Sequence, residues 1–399
     1  MTRLTRFTVA IVVAGGGSFA ARSAGAVDCS TLQNPIYVMG SAAFQTGLKT
    51  FAVKLVTESS PTTVVSQAPG SCLGVEAISS GTLLTGTATY FNATGTAQTC
   101  NLPIVGQAAD LGISDVFYES CPGLTPSTRP STVGDFRGPV VATEIVVPQA
   151  NTSQYITAQE AQDIWGCGAT AGIAPFDVAG QIFCRDANQG AQIILADGIE
   201  LESGAFMGTN AISDSGMVTD VGSSGSPQNA IGFIEADVYD ANRATLNALA
   251  FEAFGQTLAF YADSSSGTTD RQNVRDGHYP LWGYEHLFAT VDGTNKPTNP
   301  NAARLIGLIT GTTSDPRIDY VQMEGAAGLI PLCAMTVQKT DDTPGYLSRF
   351  DNSADPCSCA YLLATGGTVP ASCVTCSATG ADGGTGCTGG KSCHHGFCE

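Results

Sequence analysis

Positive charge is scarce in this sequence. Seventeen Lys and Arg stand against 35 Asp and Glu, a formal net charge of −18. That balance argues against nucleic acid as a partner, because phosphate-backbone contacts need clustered basic side chains. It does not exclude a small anion. A buried site can hold one with local dipoles and a single guanidinium while the outer surface stays acidic. Histidine is scarcer still: there are 4, and two of them, His394 and His395, lie in the C-terminal tail. A hydrolase triad therefore has few candidates. There is no Gly-x-Ser-x-Gly elbow, no HExxH, no Walker A sequence and no paired-carboxylate motif. Beyond the N-terminus no run is long and apolar enough to span a membrane, so the mature protein is expected to be soluble.

What is present is room, glycine and cysteine. The 399 residues can hold two or three domains, the hydrophobic fraction of 43% is that of a globular chain, and 47 Gly mark a turn-rich one. The N-terminus reads as a secretory signal, residues 1–26. Arg3 and Arg6 form its basic region, Phe7 to Ala14 its apolar core and Ala24-Gly25-Ala26 its cleavage site. Val27-Asp28 before Cys29 does not make a lipobox. The mature protein is then expected in the periplasm or at the cell surface. Export accounts for 14 cysteines, enough for up to seven disulfides. A Cys100–Cys121 bridge and a Cys167–Cys184 bridge are expected. Residues 353–399 form a tail with six cysteines between Cys359 and Cys398 and almost no large apolar residues. Such a tail cannot bury a core and must be held by bridges. Cys373, Cys376, Cys387, Cys393, His394, His395 and Cys398 have the spacing of a zinc cluster, but an exported chain favours disulfides. No metal or cofactor is expected.

Along the chain, Ile36-Tyr37-Val38-Met39 reads as a strand, and Gly40-Ser41 turns it into a helix with Phe44, Leu48, Phe51, Ala52 and Leu55 on one face. Thr62 to Val65 is strand-like and leads through Gly70-Ser71 into a helix carrying Val75 and Ile78. This alternation predicts a parallel sheet with flanking helices, with ligands at the carboxyl ends of strands. Residues 80–110 read as a loop or hairpin insertion and 122–138 as loop. Val140 to Val147 reads as a buried strand, and Thr157 to Glu160 as a capping box opening a helix through Ile164 and Trp165. Gln181 to Cys184 and Ile231 to Ile234 read as strands. Asn188-Gln189-Gly190 starts another helix, and Asn301 to Thr310 is helical in character. His278 and His286 are expected to be structural.

Chemistry concentrates where these turns meet. Gly40-Ser41 and Gly70-Ser71 each open a helix, whose first N–H groups and partial positive charge suit an oxyanion. Each alone is commonly an ordinary N-cap. Ser114-Asp115 ends a short run, Leu111 to Asp115. A carboxylate there accepts the proton that hydrogen phosphate carries at neutral pH and repels a fully deprotonated anion such as sulfate. Arg185 follows a strand and precedes a helix start, where a guanidinium can grip an oxyanion bidentately. An ion pair to Asp186 is its bland alternative.

From about Asn34 to about Phe350, the order and spacing of these segments resemble the PstS-type phosphate ABC transporter substrate-binding proteins. The likeness implies an α/β, two-lobe periplasmic-binding-protein-like fold (type II) with two hinge crossings, near 141–147 and 231–240, plus the small disulfide-rich tail. Lobe I would comprise 27–142 and 232–352, and lobe II 143–231. By position, Phe44, Ser71, Asp115, Arg185 and Gly190 match phosphate contacts, with Ser114 beside them. Ala43 stands where a hydroxyl is expected, and Gln189-Gly190-Ala191 where the family has Ser-Gly-Thr. Each hydrogen bond to a charged group lost in this way is worth about 1.5–3 kcal/mol. The likeness implies a monomeric, non-enzymatic protein that captures inorganic phosphate or a similar oxyanion and delivers it to an ABC transporter permease. The alternative is a secreted or surface scaffold of the same fold that has lost phosphate binding or binds another solute. A phosphoesterase on this fold is a third reading, weakened by the missing nucleophile and metal motifs.

Overall fold

The strands Pro35–Gly40, Thr63–Gln67 and Leu111–Ser114 are buried along nearly their whole lengths. Strands buried on both faces need helices above and below them, which is the parallel α/β arrangement. In the chain's computed structural model, which describes residues 27–342, 347–377 and 387–399, Pro35–Gly40 pairs in parallel with both of the others. The expected signal peptide lies outside the described residues. Helix α1 (Gln45–Val56) follows the first strand and α2 (Ser71–Ser79) the second, as the sequence pattern requires. Phe44, Leu48, Phe51, Ala52 and Leu55 form the buried stripe of this layer. Residues 80–110 contain a hairpin, Thr87–Phe91 and Ala97–Asn101, that extends the sheet.

The large mixed sheet continues from Leu111–Ser114 to Trp282–Thr290, then to Val133–Pro148 and Gly232–Glu235. Val133–Pro148 is the longest strand, at 16 residues. Its first part pairs with Trp282–Thr290, and its last residues pair with Gly232–Glu235 and with Leu246–Ala248. It begins at Val133, inside the stretch expected to be loop. The polar residues that obscured it have partners: Asp135 Oδ1 meets His286 Nδ1 at 2.8 Å, and the Arg137 guanidinium lies 5.0 Å from the centre of the Tyr284 ring. His286 thus pairs with an acid of the long strand, and His278 stacks on Phe260.

Beyond the long strand come α3 (Ala158–Cys167), α4 (Gly190–Gly198) and α5 (Asp214–Gly222). Thr157 and Glu160 form both bonds of the capping box. Arg271 is wholly buried. It bonds both oxygens of Asp263 at 2.8 Å and also pairs with Asp240.

The disulfides correct both expected pairings. Six form among the described residues: Cys29–Cys100, Cys72–Cys121, Cys333–Cys357, Cys359–Cys373, Cys376–Cys393 and Cys387–Cys398. Cys100 lies on the hairpin strand aligned with Val27, which brings it to Cys29 rather than to Cys121. Cys121 instead meets the first turn of α2. Cys167 is exposed at the end of α3 and Cys184 is buried, both unpaired. In the tail, every cysteine of the zinc-like spacing is bridged, and His394 and His395 both turn to Asp355 Oδ1, at 3.3 and 3.1 Å. The tail also does more than hang on bridges. Its helix Ser358–Ala364 buries Tyr361 completely, with the Arg275 guanidinium 5.1 Å from the ring centre. Among the described residues no helix is long and apolar enough to cross a membrane.

Candidate functional site

Two glycines set the geometry at the carboxyl ends of the central strands. Gly40 has φ +143°, and a Cβ there would lie 1.9 Å from the Ile113 carbonyl oxygen, so only glycine lets these neighbours approach. The chain then turns, and Ser41 N–H donates to that carbonyl at 2.9 Å. Ser41 Oγ accepts from Phe44 N–H at 3.2 Å, closing the turn that leads into α1. Gly190, at the start of α4, is the second close approach. A Cβ on it would lie 2.1 Å from Asp115 Oδ2. The Asp115 carboxyl therefore rests directly on the α4 N-terminus.

Asp115 is 2% exposed, and its Oδ1 has no hydrogen-bond partner among the described residues. Burial pushes its pKa up, while the Ser41 and Ser71 hydroxyls oppose the shift. Ser41 and Ser71 are themselves buried, Ser71 as the first residue of α2. Next to Asp115 stands Glu285, wholly buried, with neither oxygen given a donor. Burial, and after it the Asp115 charge, drive the Glu285 pKa well above the usual carboxylate range. The two carboxyls stand close enough for each to raise the cost of ionising the other. Glu235 is raised the same way by burial and the Asp214 charge, and burial pushes Asp237 to about 7. Asp237 also lines a cavity of about 690 Å³ with Thr46 of α1 and Asp240.

Arg185 is buried, but its ion pair is with Asp214 at the start of α5 rather than with Asp186. Asp186 instead accepts from Asn188 N–H at 3.0 Å, shaping the turn before α4. The Arg185 Nε has no partner among the described residues. Gln189 reaches across to the other Gly-Ser turn, its Nε2 donating to the Pro69 carbonyl at 2.9 Å. The Asn188 carbonyl accepts from Cys72 N–H at 3.3 Å and so takes one of the first N–H groups of α2.

The structure therefore brings Ser71, Asp115, Gln189 and Gly190 into one place. Arg185 and Asp115 both act on Glu235. Ala43 and Phe44 are buried in the apolar layer around α1, and Ala191 is buried in α4. Ser114 uses its hydroxyl within its own turn, donating to the Val116 carbonyl at 2.8 Å. Glu285, Glu235 and Asp214 were not anticipated as site residues. A lone acid in the apolar run Trp282–Ala289 was the available signal for Glu285.

No family model and no curated protein sequence matches the chain. Solved structures do. A phosphate ABC transporter substrate-binding protein from Clostridium perfringens, solved with bound phosphate, is 13% identical with a TM-score of 0.53, over 75% of this chain and 100% of that one. An ABC-type phosphate transport receptor from Vibrio cholerae is 18% identical with a TM-score of 0.50, over 74% and 99%. An ancestral soluble variant of the human phosphate binding protein is 12% identical with a TM-score of 0.50, over 75% and 90%. Identities this low speak to architecture alone. The chain has the mixed α/β fold of the periplasmic phosphate-binding proteins, extended by a disulfide-rich C-terminal region.

Proposed function

We propose that the chain is an exported solute-binding protein that captures phosphate or a related oxyanion between two lobes and delivers it to an ABC transporter, without catalytic turnover. The observation that carries this reading is the Asp115 carboxyl. It is buried, keeps an unpartnered Oδ1, and lies where α2 and α4 begin, with the Ser41 turn that opens α1 beside it. Helix N-termini supply donors and partial positive charge, and the carboxylate accepts the proton of a protonated oxyanion. Arg185 supplies the guanidinium. The long strand Val133–Pro148 and the strand Gly232–Glu235 would be the crossings about which lobes 27–142 with 232–352 and 143–231 close. The Clostridium perfringens and Vibrio cholerae neighbours carry phosphate transport in their names, which agrees with this reading.

Specific observations favour a second reading, a scaffold or a receptor for a different solute. Asp214 engages Arg185, and the Asn188 carbonyl occupies an α2 donor. Ala43, Gln189 and Ala191 lack the hydroxyls of the phosphate-binding pattern. Asp115, Asp214, Glu235 and Glu285 outnumber the one arginine at the site, which suits a donor-rich solute better than a dianion.

Calorimetric titration of the mature chain with phosphate and then sulfate separates the two. Phosphate binding at micromolar or tighter affinity, absent with sulfate and lost in Asp115→Ala and Arg185→Ala, supports the phosphate reading. No heat with either anion removes phosphate and leaves the second reading.

A further inference from the structure

Far along the chain from Asp115, the helix Tyr320–Ala326 carries a carboxyl with no visible purpose. Glu324 is 1% exposed, and its Oε1 has no hydrogen-bond partner among the described residues. It lines a cavity of about 220 Å³ whose walls include Ile309, Leu332 and Phe350. Asp351 and Asp355 also line it, and among the described residues no Lys, Arg or His does. A buried carboxyl without a counter-ion is costly when ionised. Apolar walls, acids and an unsatisfied acceptor together describe a receptor for a particular charge and shape.

We propose that this cavity binds a small organic cation, an ammonium group on a compact hydrocarbon body, with the Glu324 carboxyl as its counter-ion. The ammonium would meet Glu324 and the hydrocarbon the apolar walls. The Tyr320 and Phe350 rings add faces that attract a cation. None of the residues around Asp115 lines this cavity, so the proposal stands apart from the phosphate reading.

The charged and titratable groups around Glu324 are those of every element at the cavity. Asp319 and Tyr320 belong to its own helix and cap. The Tyr320 hydroxyl lies 3.4 Å from Asp355 Oδ2 and 3.3 Å from Cys333 Sγ, and its one proton serves either acceptor in turn. Asp351 and Asp355 come from the segment opposite, with His394 and His395 behind Asp355. With no cation among the described residues lining the cavity, burial raises the Glu324 pKa well above its usual range and so favours the neutral acid. Binding R–NH3⁺ would form a carboxylate–ammonium pair, and any proton the carboxyl carries would leave to solvent.

The test is calorimetric titration of the mature chain with benzylammonium, benzyl alcohol and benzoate, near neutral pH and in two buffers of different ionisation enthalpy. Benzylammonium should bind one to one, about tenfold or more tighter than the alcohol, with benzoate silent and the heat dependent on the buffer. Glu324→Gln keeps the shape without the charge and should erase the preference for the amine. Ala354→Trp, at an exposed position on the cavity lining, should weaken amine and alcohol alike. The proposal is overturned if benzylammonium gives no saturable heat, if it binds no better than the alcohol, or if Glu324→Gln retains the preference. Should Glu324→Gln not fold, the amine-over-alcohol ratio of the parent and the Ala354→Trp result decide the matter.

Discussion

Replacing Gly190 by alanine tests the contact between Asp115 and the α4 N-terminus directly. Inside a helix, glycine to alanine ordinarily stabilises by about 1 kcal/mol. Here the new Cβ would lie 2.1 Å from Oδ2, 2.6 Å from Cγ and 2.7 Å from Cβ of Asp115. Turning the carboxyl away relieves the first two contacts but not the third, so backbone must shift. Asp115 is buried against Ser41, Ser71 and Glu285, which leaves little room. Overpacking of this kind costs about 1–3 kcal/mol. In the proposed division Gly190 and Asp115 belong to opposite lobes. An open form separates them and keeps the helical gain. The closed form shares that gain, so relative to the open one it should lose only the overpacking cost, about 1–3 kcal/mol, roughly 5- to 160-fold in population. Small-angle scattering should give Gly190→Ala a larger radius of gyration than the parent. Any anion affinity measured for the parent should fall by a similar factor. An unchanged scattering profile with a raised thermal midpoint would refute this account of the packing.

Three further outcomes are expected. Arg271→Ala strands Asp263 and Asp240 without their cation and should cost about 3–5 kcal/mol in urea unfolding; a loss within error would mean the network carries no weight. Burial pushes Asp197 and Asp237 to about 7 from 3.8. A carboxyl whose folded pKa exceeds its unfolded value contributes stability that is complete below about pH 4 and is lost as pH climbs through about 7. The thermal midpoint should thus be higher at pH 5 than at pH 8, with the slope reduced in Asp197→Asn; a rise from pH 5 to 8 would contradict it. Finally, alkylation of the native protein should label Cys167 alone, and Cys184 only after unfolding. Mass spectrometry finding neither thiol reactive even in denaturant would restore a bridge between them.

What could be read from the sequence was what depends on near neighbours. The α1 stripe has helical spacing, and all five of its residues are buried. The Thr157 capping box needs only Glu160, three residues on, and both of its bonds form. What could not be read depends on distant partners. Asp135 and Arg137 made the start of the long strand look like loop, because their partners His286 and Tyr284 lie about 150 residues away. Arg185 has an acid beside it in sequence, yet its partner is Asp214. Cys100 and Cys121 are near each other along the chain, but strand pairing delivers one to Cys29 and helix packing the other to Cys72. Within the site, Asp115 and the Gly-Ser turns were legible as strand-to-helix transitions. Glu285 was not, because a single acid in an apolar strand looks the same whether it faces water or another carboxyl.

The Cys72–Cys121 bridge has a consequence for maturation. Cys72 directly follows Ser71, and Cys121 closes the loop that leaves Asp115. The link spans 49 residues, which by loop entropy alone restrains the unfolded chain by about 4 kcal/mol. Oxidation therefore acts on the two segments that face Asp115, not on a remote edge of the fold. Before oxidation the same chain has only packing to hold the α2 N-terminus over the Asp115 loop. In the proposed exported protein, oxidation of this pair would fasten the two segments beside Asp115, and redox poise would set how firmly they are held.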